Sequence, residues 1–344
     1  MTSRQIVYDT LEHRNPVRVP QQMWMLPCAA NTYPREAAAL RKRFPDDIET
    51  LSVALANPPK TVGDIFAKGE YVDEWGCHFT NIQEGVVGEV KNPLIPAEDE
   101  EWENTDKIHI PYEFLSFDID EANAGCAKTD KFIIGGCCPR PFEQLQFIRG
   151  TENLMMDLMD PPPAMLDFLK KMHQFYCDLL EKWAKTDVDA LNFMDDWGSQ
   201  RSLLIDPALW KRIFLPMYRD YIEIAHSHGK KIFMHSDGYI VDILPILADA
   251  GLDAVNSQLF CMGLENLEFM KGKITFWGEI DRQHLLPHGT EEQVRSAVRS
   301  VYKTLWSDGG CIAQLEFGPG AKPENVFAVF DEWEKISGNL AAGK

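Results

Sequence analysis

From residue 131 onward the chain alternates short apolar runs with longer amphipathic stretches. The runs are KFIIGG (131–136), DALNFM (189–194), KKIFMH (230–235), LDAVNS (252–257), KITFWGEI (273–280) and CIAQLEF (311–317). Runs of this length, apolar at odd and even positions alike, predict strands covered on both faces, as in a parallel sheet. The stretches between them carry helical periodicity. Pro207 to His228 repeats apolar residues at spacings of three and four, and 291–305 is amphipathic behind Thr290, a good N-cap, with Glu291 and Glu292 in its first turn. At least six strand–helix units without a glycine-rich phosphate loop predict an α/β fold of the (β/α)8 TIM-barrel type rather than an open doubly wound sheet.

The segment 27–128 breaks the rhythm. It is rich in Pro, Asp and Glu and weakly periodic (DEWGCHFTNIQEGVVGEV, PAEDEEWENTDKIHIP). It reads as an irregular N-terminal insertion between an early strand, RVPQQMWM, and the barrel strand KFIIGG, folded as a cap over the C-terminal mouth. The expected organisation is one barrel domain over 1–344, without internal repeats.

Composition narrows the partners. A net charge of -19, from 53 acidic and 34 basic residues, repels nucleic acid and anionic membrane surfaces. It also disfavours substrates with many carboxylates. The start of the chain has no apolar core of signal-peptide length, and no stretch reaches the roughly 18 apolar residues of a membrane span. The eight cysteines are scattered, with no CxxC pair. Reduced thiols in a cytoplasmic protein are therefore expected.

In a TIM barrel the chemistry gathers at the C-terminal ends of the strands. Those ends carry Cys137, Cys138 and Arg140; Asp195, Asp196, Trp197 and Gln200; His235 and Asp237; Gln258; Glu279 and Asp281; and Glu316. One of the paired aspartates is expected to cap a helix instead, Gln258 and Asp281 could serve loop backbone, and a cysteine such as Cys138 is more often a small buried hydrophobe. His235 is harder to dismiss, because it follows three apolar strand residues and Asp237 lies two positions on. Glu316 interrupts an apolar strand, where a carboxylate requires an ion pair or a metal. A histidine and acids drawn from separate strands suit a divalent metal, zinc or equally iron or manganese. The metal-free alternative is a general acid–base pair. Ser236 as a nucleophile lacks the expected elbow motif.

Two long stretches, from DALNFMDDWGSQRSLLIDP through KKIFMHSDGYIVDILPILADAGLDAVNSQ and from ITFWGEIDRQHLLPHGTEEQVRSAVRS to GGCIAQLEFGPGAKPENV, resemble the uroporphyrinogen decarboxylase superfamily. The likeness spans about 130–335, and RQIVYDTLEHRNPVRVP resembles the superfamily's opening helix and first strand. It implies the barrel, and it implies one of two branches: haem-pathway decarboxylases or zinc-dependent, corrinoid-linked methyltransferases. The decarboxylases have a basic motif after the first strand, where this chain reads QQMWMLPCAANTYPRE, and a histidine near the last strand, where it has Glu316. The methyltransferases bind zinc through His-x-Cys and a later cysteine ahead of Pro-Glu-Asn. Here the matching positions read His235-Ser236-Asp237 and Glu316, ahead of Pro323-Glu324-Asn325. The resemblance thus implies an oxygen-rich site suited to an ether or alcohol oxygen.

The reading favoured on this basis is a corrinoid-linked methyltransferase performing O-demethylation of a small methoxylated compound, an aromatic ether being one candidate. Its metal ligands would be His235 and Glu316 with Asp237 or Glu279; Asp195 or Asp196 would protonate the leaving oxygen. Trp24, Cys138, Trp197 and Gln258 would contact substrate, and Glu279 is a further catalytic candidate. The partners implied are a corrinoid protein and a small-molecule methyl donor, and a homodimer is the assembly such a barrel would adopt. The alternatives are a cofactor-free decarboxylase or lyase acting on a small acid through His235 and Asp196, and a non-catalytic barrel whose acids hold a structural ion.

Overall fold

The computed structural model describes residues 1–342. Two barrel strands, β1 (Gln21–Met25) and β2 (Ile48–Thr50), come first. A small antiparallel sheet follows, built from β3 (Gly69–Val72), β4 (His78–Asn81) and β5 (Glu89–Asn92). The remaining barrel strands are β6 (Phe132–Ile134), β7 (Ala190–Met194), β8 (Lys231–Ser236), β9 (Ala254–Ser257), β10 (Thr275–Trp277) and β11 (Cys311–Phe317). Parallel pairing runs β1–β11–β10–β9–β8–β7–β6–β2, and helices cover its outer face, giving the (β/α)8 barrel.

Strand parity divides the side chains between two cores. Ile48, Phe132, Ala190, Phe233, Ala254, Trp277 and Ile312 point inward and form a cluster of their own. Val7 and Leu11, from the helix Ser3–Leu11, join that cluster and close the floor of the barrel. Alternate residues such as Ile133, Leu191 and Ile232 face the helices. Two-residue periodicity therefore carries the inward face up to His235 and Asp237 beyond Phe233, to Asp196 beyond Ala190, and to Glu316 beyond Ile312.

Between β1 and β2 the seam is closed largely by side chains. Met23 N donates to Asp46 Oδ1 (2.7 Å), Gln21 N to Asp47 Oδ2 (2.8 Å), and Asp47 N returns a bond to Gln21 O (2.8 Å). Arg18 grips both Asp47 oxygens at 2.6 and 2.5 Å, neutralising a carboxylate that is almost wholly buried.

The stretch 27–128, expected as one irregular excursion, is interrupted by β2 and by the helices Pro27–Thr32, Pro34–Arg43 and Ile119–Cys126. Its middle portion supplies the cap: Tyr71, Trp75 and Phe79 stand over the ends of β2, β6 and β7. The helix expected over Pro207–His228 is two helices, Pro207–Ile213 and Leu215–Ser227, broken just ahead of Pro216. Proline lacks the N–H that would continue the ladder and its ring clashes with the preceding turn. Glu291–Leu305 forms behind Thr290 as expected, with Gln293 completing a capping box.

Candidate functional site

The loops after β7 and β8 are stitched together by two backbone–backbone hydrogen bonds and by backbone donation to a side chain. Gly198 N donates to Asp237 O (3.1 Å), Tyr239 N to Ser199 O (2.8 Å), and Trp197 N to Ser236 Oγ (3.1 Å). At their crossing Gly198 and Gly238 approach so closely that a Cβ on Gly198 would lie 2.2 Å from Tyr239 N, and one on Gly238 would lie 2.1 Å from Gly198 O. Gly238 also has φ of +78°, the left-handed region glycine tolerates. The crossing delivers Asp196 to Asp237, whose N–H donates to Asp196 Oδ1 at 2.9 Å.

His235 stands between these two acids. Its Nε2 lies 3.5 Å from Asp196 Oδ1 and 3.7 Å from Asp237 Oδ1. Its Nδ1 is 2.6 Å from Asn256 Oδ1, while Asn256 Nδ2 donates to Trp277 O at 2.5 Å. A carbonyl only accepts, so the amide's nitrogen must face Trp277 and its oxygen must face His235. The neutral imidazole therefore carries its hydrogen on Nδ1 and presents the Nε2 lone pair to the carboxylates. Trp24 lies against the ring, with centroids 5.5 Å apart.

One ligand atom from each of Asp196, His235 and Asp237 falls within 4.8 Å of the others. Asp237 Oδ1 is buried with no hydrogen-bond partner among the described residues. An imidazole lone pair, an orphaned carboxylate oxygen and a second acid fit a divalent cation bound by nitrogen and oxygen, with a position left open.

Glu316 does not join this group, contrary to the ligand set expected from the sequence. Its Oε2 is paired with Arg282 Nη1 at 3.0 Å. Arg282, a residue the sequence reading passed over, also bonds Asp237 Oδ2 and lies 3.6 Å from Glu279 Oε2. One guanidinium thus serves three inward-facing carboxylates. The sign that could have found it is the need itself: Asp237, Glu279 and Glu316 on neighbouring strand ends require a counter-charge, and Arg282 follows Glu279 by three residues.

Burial raises the Glu279 carboxyl to about 8; Arg282 opposes the shift, and Asp237 and Glu316 add to it. Glu279 Oε1 has no hydrogen-bond partner among the described residues. Burial likewise raises Asp237 and Glu316 above the usual carboxyl range, against the opposing pull of His235 and Arg282 for Asp237 and chiefly of Arg282 for Glu316. Because Glu279 is held protonated in the folded state, its contribution to stability is present in acid and is lost as pH rises from about 4.5 to about 8. Glu279→Gln, neutral at every pH, should lose less stability than the wild type between pH 5 and pH 8.5 in urea melts; equal losses would contradict the assignment.

The other sequence candidates separate. Asp195 has the opposite parity from Asp196 and is fully buried in the helical layer. Its carboxylate accepts from Glu143 N (2.8 Å), Phe142 N (3.2 Å) and Tyr218 Oη (2.5 Å), which caps the helix Pro141–Arg149. That leaves it no role at the mouth. Trp197 is also core rather than substrate surface: it is fully buried, stacks on Phe142 at 4.0 Å and bonds Tyr218 Oη. Gln258 Oε1 accepts from Gly238 N at 3.3 Å and so serves the loop. Asp281 takes the amides of Gln283 and His284. Cys138 lines a cavity, where burial raises its thiol to about 11.

That cavity, about 680 Å³, lies between the cap and the ends of β2, β6 and β7. Tyr71, Trp75, Phe79, Phe147 and Trp183 give it flat apolar walls. Arg140 and Glu143 lie at its inner side, 3.3 Å apart, and Glu143 feels the charges of both Asp196 and His235. On the opposite, uncapped side a depression of about 470 Å³ opens over Arg282 and Glu316. Among the described residues no helix is long and apolar enough to cross a membrane.

Comparison with known proteins gives a family and several structural likenesses. Residues 73–336 match the family described as uroporphyrinogen decarboxylase (URO-D). No curated protein matches the chain. Among solved structures, a methyltransferase from Methanosarcina mazei superposes with a TM-score of 0.66 at 14% identity, over 98% of this chain and 99% of that one. A B12-independent methionine synthase from Shewanella sp. W3-18-1 gives a TM-score of 0.45 at 14% identity, over 65% of this chain and 67% of that one. At such identity the likeness to the first is one of fold.

Proposed function

The chain belongs to the uroporphyrinogen decarboxylase (URO-D) family, and from that premise we propose that it is a methyltransferase rather than a decarboxylase. In this reading it removes a methyl group from a small methoxylated, ring-bearing compound and passes it to a corrinoid carried by a partner protein. The observation that carries the reading is the lone pair of His235 Nε2, fixed by Asn256 and facing Asp196 and the orphaned oxygen of Asp237. Two acids from different strand ends converge on the ring nitrogen that bears no hydrogen in the neutral imidazole, which is the arrangement a ligand set requires.

His235, Asp196 and Asp237 would hold the divalent ion, zinc or a metal of similar preference, and when bound it would supply Lewis acidity toward the ether oxygen. The aromatic cavity under the cap binds the ring and excludes water from it. Glu279, protonated at neutral pH, holds the proton that the leaving oxygen requires. Arg282 keeps the remaining acids from repelling one another. The corrinoid, as a co-substrate on its carrier, would approach over the uncapped depression beside Arg282 and Glu316. A haem-pathway substrate is poorly matched, since Asp73, Glu74 and Glu143 outnumber Arg140 around the cavity.

The test is elemental analysis of the purified protein together with transfer of methyl from methoxylated aromatics to added cob(I)alamin. About one metal per chain and methylcobalamin formation that a chelator abolishes are expected. Decarboxylation of a small acid at full rate by metal-free protein would overturn the reading.

A further inference from the structure

A second group of ligand-type side chains lies outside the barrel, between two helices of the outer layer. His173 and Cys177 are one turn apart on the helix Pro163–Ala184, and i,i+4 spacing places them on one face. Asp220 comes from the helix Leu215–Ser227, which packs against it. His173 Nε2 is 2.9 Å from Asp220 Oδ2, and Cys177 Sγ is 3.6 Å from Nε2 and 3.7 Å from Nδ1. One ligand atom from each falls within 4.8 Å of the others. Tyr221 Oη lies 3.4 Å from His173 Nδ1, the outer support that metal-bound histidines use to fix the ring.

The distances suit a shared centre. Tetrahedral bonds of about 2.0 Å to nitrogen and oxygen and about 2.3 Å to thiolate imply a nitrogen–oxygen edge of roughly 3.3 Å and a nitrogen–sulfur edge of roughly 3.5 Å. The sulfur is already in range of either ring nitrogen. Asp220, whose side chain is 56% exposed, is free to open the remaining few tenths of an ångström. Burial, with Asp220, Asp178 and Glu181 adding to it, raises the Cys177 thiol to about 12, so a bound ion must displace its proton.

We infer that His173, Cys177 and Asp220 form a divalent-cation site of the zinc type, with water completing the tetrahedron, that clamps these two helices behind β7. It shares no residue with the barrel-mouth group and does not depend on the function proposed for that group. Sulfur makes the two separable, because Asp196, His235 and Asp237 offer none.

Cobalt(II) is the probe. Titrated into the chelator-treated full chain, it should produce a thiolate-to-cobalt charge-transfer band in the near ultraviolet. The band should vanish in Cys177→Ser, and Asp220→Ala should weaken cobalt binding read from the band at least tenfold. Zinc should raise the melting temperature of the wild type by several degrees more than that of Cys177→Ser. No band in the wild type, or an undiminished band in Cys177→Ser, overturns the site. The wild-type result and the substitution at exposed Asp220 keep the test decisive if Cys177→Ser folds poorly.

Discussion

Replacing Arg282 with methionine should destabilise the protein by about 3 kcal/mol near pH 8, the low end of the range for removing one partner of a buried ion pair. The low end applies because the guanidinium retains 20% side-chain exposure. Methionine keeps the chain length and apolar stem but leaves Asp237, Glu279 and Glu316 facing one another without a counter-charge. Those carboxyls already stand above their usual range with Arg282 present, and losing it must lift them further. A carboxyl raised in the folded state adds stability in acid and loses it as pH rises through the folded value. The gap between wild type and variant should therefore narrow toward pH 5 and widen toward pH 8. Urea melts at the two pH values measure it; a gap independent of pH would show that Arg282 matters by packing alone.

His235→Ala should cause the largest loss of activity. In the function proposed above the ring would supply the one nitrogen ligand, so methyl transfer should fall about 10³-fold or more, beyond the 10–100-fold typical of groups that only orient a ligand. Asn256→Ala should fall in that smaller range, because it leaves the ligand in place and only frees the ring to turn. His235 has 15% side-chain exposure and sits at a strand end rather than in the core, so the melting temperature of His235→Ala should stay close to that of the wild type. Metal content, methyl-transfer rate and melting temperature together test the claim. Full turnover by His235→Ala would remove the residue from the chemistry.

Much of the barrel was legible in the sequence, because its later strands are short apolar runs and its helices are periodic. β2 was not. Of Ile48-Glu49-Thr50 only Ile48 is buried, and the strand is held partly by Asp46 and Asp47, whose role no hydropathy pattern reveals. The strand ends placed His235 and Asp237 in the expected ligand set and Asp196 beside them as a proton donor, and the three side chains lie together. They could not say which of Asp195 and Asp196 faces inward, since that depends on strand parity relative to Ala190. Counting by two from the lumen residues would have settled it, and would have placed Trp197 in the helical layer as well. Glu316 was read correctly as a carboxylate needing a partner, but the partner is Arg282, one strand away and inconspicuous among charged loop residues.

The crossing at Gly198 and Gly238 bears on how such a site can be inherited or redesigned. Each loop fits only where the other has surrendered its side chain, so the two strand-end loops behave as one transferable unit. A graft that moves HSDGY without DDWGS would bring one half of a mutual accommodation and meet a backbone not shaped to receive it. Recombination between related barrels is then expected to keep these two segments together, although some forty residues separate them along the chain.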